Sequence, residues 1–425
     1  MRQGFVLHQS RAMALALGLA RVAEPMRAAW GLESVIKKLL AVALASLLAG
    51  CATLSRMPAP PLSSTHVAPA SYQAKLRINS YDPQASSVVT ALYTKAIEAS
   101  DGSIDILALS GGGAGGAFGV GVLVGLQRKD TRPEFEIVTG VSSGALIAPY
   151  AFLGPDWDPA ITEIYTAPET ARLVVRRGLG ALFQTSLYRT DHFIQWVDSH
   201  VTPKFMDAIA RESRKGRLLL VATTNIDTGA STIWNMGLIA EQGGPRARKL
   251  FIDVLVASSS IPAVFPPKLI DVESGGQHFQ EMHVDGGVAV PFFVVPANMS
   301  LGDETIRRLK GANLYVILNS QIEIGPANSV LKTTSIIPRS FEIDQVYRAR
   351  QNVALTAYFA TSNEMAFRMT WIPSSFPYQG SLVMDQPSMK SLFNAGLDLA
   401  ESGQAWKGAD DVAAELGEQK VAAKP

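Results

Sequence analysis

The stretch EIVTGVSSGALIAP, residues 136–149, decides the fold of this chain. Ile137 and Val138 belong to a β-type run that stops at Gly140-Val141-Ser142-Ser143-Gly144, and a helix-type run follows. G-x-S-x-G between a strand and a helix is the setting in which the motif marks a nucleophile, because the sharp turn lifts the serine out of the sheet. Ser142 is therefore the candidate nucleophile. Ser143 is its rival, but it occupies an x position and should start the helix, where serine is favoured as a cap. A serine hydroxyl also needs a base to take its proton.

The flanking segments repeat the strand-then-helix pattern. IDILALS (104–110) is a short apolar run consistent with a buried strand. AFGVGVLVGLQRKD follows, with Phe118, Val122 and Leu126 at helical spacing. SGALIAPYAFLG reads as a helix ended by Gly154-Pro155. RLLLVATTNIDTGASTIW (217–234) reads as two strands around the turn Asp227-Thr228-Gly229. FIDVLVASSS is helical before Pro262, and NLYVILNS (313–320) is another buried strand. Residues 341–365 form a long amphipathic helix, and SMKSLFNAGLDLAESGQAW forms another. Strands alternating with helices predict a three-layer α/β domain.

Between the first strand and helix lies Gly111-Gly112-Gly113-Ala114-Gly115-Gly116, which fits G-x-G-x-x-G. One use of that loop is to cradle a dinucleotide pyrophosphate. That use expects a carboxylate at the end of the second strand, where this chain has Gly140-Val141-Ser142 instead. The other use is an oxyanion hole, in which glycines let backbone N–H groups approach a developing negative oxygen.

In G-x-S-x-G enzymes the usual order is Ser, Asp or Glu, then His. It fails here, because no histidine follows His283. HVDGGVAVP (283–291) offers Asp285 instead, before Gly286-Gly287; its plain alternative is an Asx-type turn. His283, two residues earlier, would face the same side of a strand and also stays a candidate. SGGGAGGAFGVGVL, GVSSG, ASSSIPAVFPP (257–267) and VDGG occur in the order that resembles the patatin-like phospholipase family. The resemblance covers 104–295 and continues more weakly through LFNAG at 392–396. It implies Ser142 as nucleophile and Asp285 as base without a histidine. It implies Gly111, Gly112 and Gly113 as the oxyanion hole, and an α/β sandwich around a central, mostly parallel sheet. The family commonly carries Arg or Lys at the fifth place of its GGGx(R/K)G loop, where this chain has Gly115. That departure leaves headgroup preference open and predicts that Gly115→Arg changes substrate preference without unfolding the domain.

VIKKLLAVALASLLAGC (35–51) has the charged, apolar and small-residue order of a secretory signal. Its apolar run, Leu39 to Ala49, is 11 residues, too short to span a bilayer as a helix. Leu48-Ala49-Gly50-Cys51 resembles the lipobox of bacterial lipoproteins, which implies lipid on Cys51, and Ala52 after it implies the outer membrane. Signal peptides run to about 15–30 residues, so Met26 is a candidate true start. The expected organisation is a signal over 1–50, a lipidated Cys51 with a Pro/Ser/Ala-rich tether to 75, a catalytic domain over 76–408, and a charged flexible tail over 409–425.

Composition narrows the partners. With 38 basic and 37 acidic residues the net charge is +1, and no basic stretch alternates with aromatics, so nucleic acid is not implied. One cysteine builds neither a disulfide framework nor a thiolate metal site. The six histidines lack metal-pair spacing. The expected activity is hydrolysis of lipid or phospholipid esters, with no metal or organic cofactor and with membrane contact through the anchor; protein partners are unknown. The alternatives are a general esterase or thioesterase, and a silent lipoprotein that binds lipid or an envelope partner on the same fold.

Overall fold

The computed structural model describes residues 56–61, 67–72, 76–100, 102–168, 191–296 and 299–417, with the short pieces 38, 175–176 and 188–189. The signal sequence and Cys51 lie outside the described residues. The strands are β1 (Ala68–Pro69), β2 (Arg77–Asn79), β3 (Asp105–Leu109), β4 (Ile137–Val141), β5 (Val175–Arg176), β6 (Tyr188–Arg189), β7 (Leu218–Asn225), β8 (Ala230–Asn235), β9 (Lys268–Ser274), β10 (Gln277–Asp285), β11 (Asn313–Leu318) and β12 (Ala366–Trp371). Among the described residues, β5 and β6 pair only with each other. The other ten form one sheet in the order β1-β9-β10-β7-β4-β3-β11-β12, with β8 branching from β7 and β2 from β8.

The centre of this sheet, β7-β4-β3-β11-β12, is parallel throughout. β3, β4, β7 and β11 are buried on both faces, which is why they read as apolar runs, whereas β12 (AFRMTW), at the edge, carries Arg368 and does not. Alternate residues serve two cores: Leu107, Leu109, Val138, Leu219 and Val221 face one layer of helices, and Ile106, Ala108, Ile137, Leu218 and Leu220 the other. The first layer includes the helices Gly116–Arg128, Ser143–Leu153, Gly244–Ser258 and Gln386–Glu401; the second includes Ala85–Glu98 and Thr333–Ser362. This is the three-layer α/β fold with a central, mostly parallel sheet. Phe292, Phe293, Val294 and Val295 pack into the second core.

Beyond β7 the sheet turns antiparallel, through β10, β9 and β1. The β9–β10 hairpin was not legible as a pair, because its outer end carries polar residues on both faces. Two boundary expectations also change. The segment expected as a semi-rigid tether is partly docked: Gln280 N–H donates to Pro58 O at 3.1 Å, and β1 pairs with β9. Residues Ala409–Gly417, expected in a flexible tail, form a helix with Val412 fully buried. Val412 and Leu416 are spaced to meet the second core, and that outweighs the charged composition around them.

Candidate active site

Ser142 and Asp285 come from strands that flank β7. Val141, the last residue of β4, pairs with Ala222, and Asp285, the last of β10, pairs with Thr223. The two chain ends therefore rise side by side over the same point of β7. Ser142 has φ 55° and ψ −123°, a left-handed conformation that a non-glycine residue rarely adopts. Both glycines of the motif are required by close approach. A Cβ at Gly144 would stand 2.4 Å from Leu109 O, and one at Gly140 would stand 2.5 Å from Gly144 O. Gly286 has the same cause: its Cβ would meet Ala222 O at 2.4 Å where the chain passes over β7.

Ser142 Oγ donates to Asp285 Oδ2 at 2.6 Å. The other carboxylate oxygen, Oδ1, accepts from Gly287 N–H at 2.7 Å. Asp285 is 5% exposed, and burial pushes it up from 3.8 to about 7, against the hydrogen bonds from Ser142 and Gly287. A carboxyl held near neutrality is suited to accept and return a proton.

The ASSS run (257–260) braces both residues. Ser142 N–H donates to Ser258 Oγ at 3.0 Å, and Ser258 Oγ donates to Ala222 O at 2.7 Å. Ser259 Oγ donates to Ser142 O at 3.4 Å, and Asp285 N–H donates to Ser260 O at 2.9 Å. Thr224 Oγ1 donates to Asp285 O at 3.0 Å. Arg348, from the helix Thr333–Ser362, donates to Gly287 O at 2.7 Å and Val288 O at 2.8 Å, holding the turn after the aspartate. Nothing in the local sequence around Arg348 signals that contact. Ser143 is the first helical residue, and Ser142, at the cap position, makes no side-chain cap bond. Ser143 Oγ is buried without a hydrogen-bond partner, so it has no base beside it.

The glycine loop lies against the nucleophile: a Cβ at Gly111 would stand 3.1 Å from Ser142 Cβ. Its N–H groups divide. Gly111, nominated as an oxyanion donor, commits its N–H to Pro291 O at 3.1 Å. Ala114 donates to Ser381 O and Gly115 to Gly112 O. Among the described residues, the N–H groups of Gly112 and Gly113 have no acceptor. Tolerance of Gly115→Arg is corrected as well. Gly115 has an ordinary φ of −59°, but its Cβ would stand 2.0 Å from Asn319 O, a backbone atom with no room to retreat. The missing cation at this loop position is thus tied to close contact with Asn319.

His283 does not join the dyad. It is fully buried, with Nδ1 2.9 Å from Thr223 Oγ1 and Nε2 3.1 Å from Glu281 Oε2. Burial lowers its pKa and outweighs the opposing pull of Glu281. Trp234 Nε1 donates to Thr223 Oγ1 at 2.8 Å. The assignment that satisfies every group has Thr223 donating to Nδ1 and a neutral imidazole donating from Nε2 to Glu281. His278 is exposed beside Glu273, at 3.3 Å.

Comparison with known proteins gives a family match and a structural neighbour. No curated protein matches the chain significantly. Among solved structures, VipD from Legionella pneumophila is similar at 14% identity and a TM-score of 0.37, over 72% of this chain and 68% of that one. The family model of the patatin-like phospholipases matches residues 107–296, a span that holds the glycine loop, Ser142, the ASSS run and Asp285. The chain thus carries a patatin-like phospholipase domain at residues 107–296.

Proposed function

We propose that this protein is a serine acyl hydrolase that releases fatty acids from lipid or phospholipid esters, with Ser142 as nucleophile and Asp285 as its base. The observation that carries the reading is the 2.6 Å hydrogen bond from Ser142 Oγ, on a strained elbow, to a buried carboxylate with no cation among its partners. Ser142 Oγ attacks the ester carbonyl and its proton passes to Asp285 Oδ2. The carbonyl oxygen becomes an oxyanion that accepts from the N–H groups of Gly112 and Gly113. The helix Ser143–Leu153 adds its positive N-terminal end. Collapse breaks the ester C–O bond, and the departing alkoxide takes the proton from Asp285. Water then attacks the acyl-enzyme, giving a proton to Asp285, and the second collapse returns that proton to Ser142 Oγ as the fatty acid leaves.

We further propose that the protein is held at a cell envelope by lipid on Cys51. The support is the LAGC sequence after a charged and apolar leader. Two or three acyl chains there give a stable anchor where one gives only a marginal one.

Mapping a fluorophosphonate adduct by mass spectrometry tests the nucleophile, and fatty-acid release from phospholipid vesicles tests the reaction. The expected results are a single adduct on Ser142 and release that disappears in Ser142→Ala. An adduct on another serine, or equal release by both proteins, refutes the assignment. Mass spectrometry of the mature N-terminus is expected to find a modified Cys51; an intact leader refutes the anchor.

A further inference from the structure

The glycine loop is gripped from two sides, and both grips come from outside the matched domain. On one side runs the backbone of Asn319: a Cβ at Gly112 would stand 1.9 Å from Asn319 O. On the other side lies a strap, residues 373–385, with no helix or strand of its own between β12 and the helix Gln386–Glu401. Gln321 Nε2 fixes the start of the strap, donating to Pro373 O at 2.9 Å and Phe376 O at 3.0 Å. Ser381 O then accepts from Ala114 N–H at 2.8 Å, and the Tyr378 hydroxyl donates to Gly112 O at 3.2 Å. A Cβ at Gly113, where φ is +55°, would stand 2.1 Å from Ser381 O.

The direction of these bonds matters more than their number. No peptide here is cis, and in a trans peptide the carbonyl and the next N–H point in opposite directions. Gly112 O is turned to Tyr378, so Gly113 N–H is turned away from the strap. Gly111 O accepts from Ser110 Oγ at 2.6 Å, so Gly112 N–H is turned away from Ser110. These are the two N–H groups of the loop that have no acceptor among the described residues. Burial pushes the Tyr378 phenol above its ordinary pKa, so it remains a donor at any working pH.

We propose that Tyr378 is a positioning residue for the oxyanion hole: its hydroxyl anchors Gly112 O and thereby aims Gly113 N–H at the oxygen that becomes charged beside Ser142. The inference rests on the reading of Ser142 as nucleophile. Without the hydroxyl, Gly112 O keeps, among the described residues, only the Gly115 N–H, a bond at 3.0 Å inside the loop that moves with it. The anchor to a separate segment is then lost. An oxyanion forms only on the way to the tetrahedral intermediate, so the damage should fall on kcat and spare KM.

The test uses the full chain and a short-chain aryl ester, comparing wild type with Ser142→Ala, Tyr378→Phe and the exposed strap variant Gln379→Ala. Tyr378→Phe keeps the ring and its packing, and the melting temperature checks that it does. Its kcat should fall about tenfold with KM changed by less than about twofold, since a direct oxyanion donor is worth more than a group acting through one. Its affinity for a trifluoromethyl ketone, which forms a tetrahedral adduct, should weaken by a similar factor. The pH midpoint of its rate should stay where wild type has it, because Asp285 is untouched. Gln379→Ala should behave as wild type. A folded Tyr378→Phe with wild-type kcat and wild-type ketone affinity, or one altered in KM alone, overturns the proposal while Ser142 dependence stands. Wild-type turnover that survives in Ser142→Ala overturns the underlying reading, and this proposal with it.

Discussion

Glu281 and Asp285 stand on one strand, face one side of it and are both buried, at 4% and 5% exposure, yet they hold protons in opposite ways. Burial alone would raise both. At Glu281 the Arg77 guanidinium, together with hydrogen bonds from His283 and Arg77, outweighs burial and holds the carboxyl down at about 2. Arg77 is itself stacked over Trp234 at 5.3 Å, so the cation is fixed in place. At Asp285, among the described residues, only a serine hydroxyl and one backbone N–H answer the carboxylate, and burial wins, at about 7. A buried acid becomes a base near neutral pH when a donor is supplied and a cation is withheld.

The largest expected effect breaks the Asp285 side of that comparison. Ser142→Ala and Asp285→Asn should each lower kcat by on the order of 10⁴, and the double variant should be little worse than either, because the pair acts as a unit. Steady-state turnover of one ester with all three proteins decides it; multiplied losses in the double variant would mean two independent roles.

The next effect breaks the Glu281 side. Arg77→Met leaves a carboxylate at 5% side-chain exposure without its cation, the situation that makes Asp285 a base. The expected cost is about 3–5 kcal/mol of stability. It should be greatest near pH 8 and shrink toward acid pH, where Glu281 can protonate. Chemical denaturation at the two pH values measures it, and a loss that does not vary with pH would show that packing over Trp234, not charge, is the main contribution.

What the sequence disclosed follows the same division. Most of the parallel half of the sheet was readable because β3, β4, β7 and β11 each hold a continuous apolar run, whereas β12 (AFRMTW), broken by Arg368 and Thr370, was not read as a strand; the elbow announces itself in the residues around Ser142. Asp285 was reached through family resemblance and the missing histidine; its place beside Ser142 depends on the register of β10 on β7, set by partners about sixty residues away. Arg77 lies 204 residues from Glu281, Asn319 209 from Ser110 and Tyr378 266 from Gly112. Local periodicity carries no trace of such pairings. Gly115 was misjudged for that reason: its side-chain space is occupied by a backbone carbonyl from a distant strand end.

The two carboxyls should also give stability opposite pH dependences. Asp285 binds its proton more tightly folded than unfolded, so its contribution is complete below its ordinary 3.8 and lost as pH rises through about 7. A rise from 3.8 to about 7 corresponds to at most about 4 kcal/mol. Asp285→Asn should therefore match wild type near pH 4 and be more stable above pH 7, despite its lost activity. Glu281 has the reverse sign: its contribution is present above its ordinary 4.5 and lost as pH falls through about 2. Melting curves of wild type and Asp285→Asn across this range test the prediction, and an asparagine variant less stable at pH 8 would show that the hydrogen bonds to the carboxylate matter more than its burial.

The smallest effect on rate is expected at the residue between the two acids. Asp285 must be ionised to take the Ser142 proton, so the rate should rise with pH and level off above about 7. A midpoint there is what a histidine would ordinarily produce, and His283 is on the same strand. Its nitrogens, however, are occupied by Thr223 and Glu281, and burial moves it away from protonation near neutrality. His283→Ala leaves those two partners short of a hydrogen bond, at a cost of about 1–3 kcal/mol in stability. Its kcat should stay within about threefold of wild type, because no group in contact with the ester is removed. The decisive reading is the midpoint: it should persist near 7 in His283→Ala, with the exposed His278→Ala as a control unchanged in rate and stability. If the midpoint vanished in a folded His283→Ala, the titrating base would be the imidazole, and the contrast between paired Glu281 and unpaired Asp285 would not describe the chemistry.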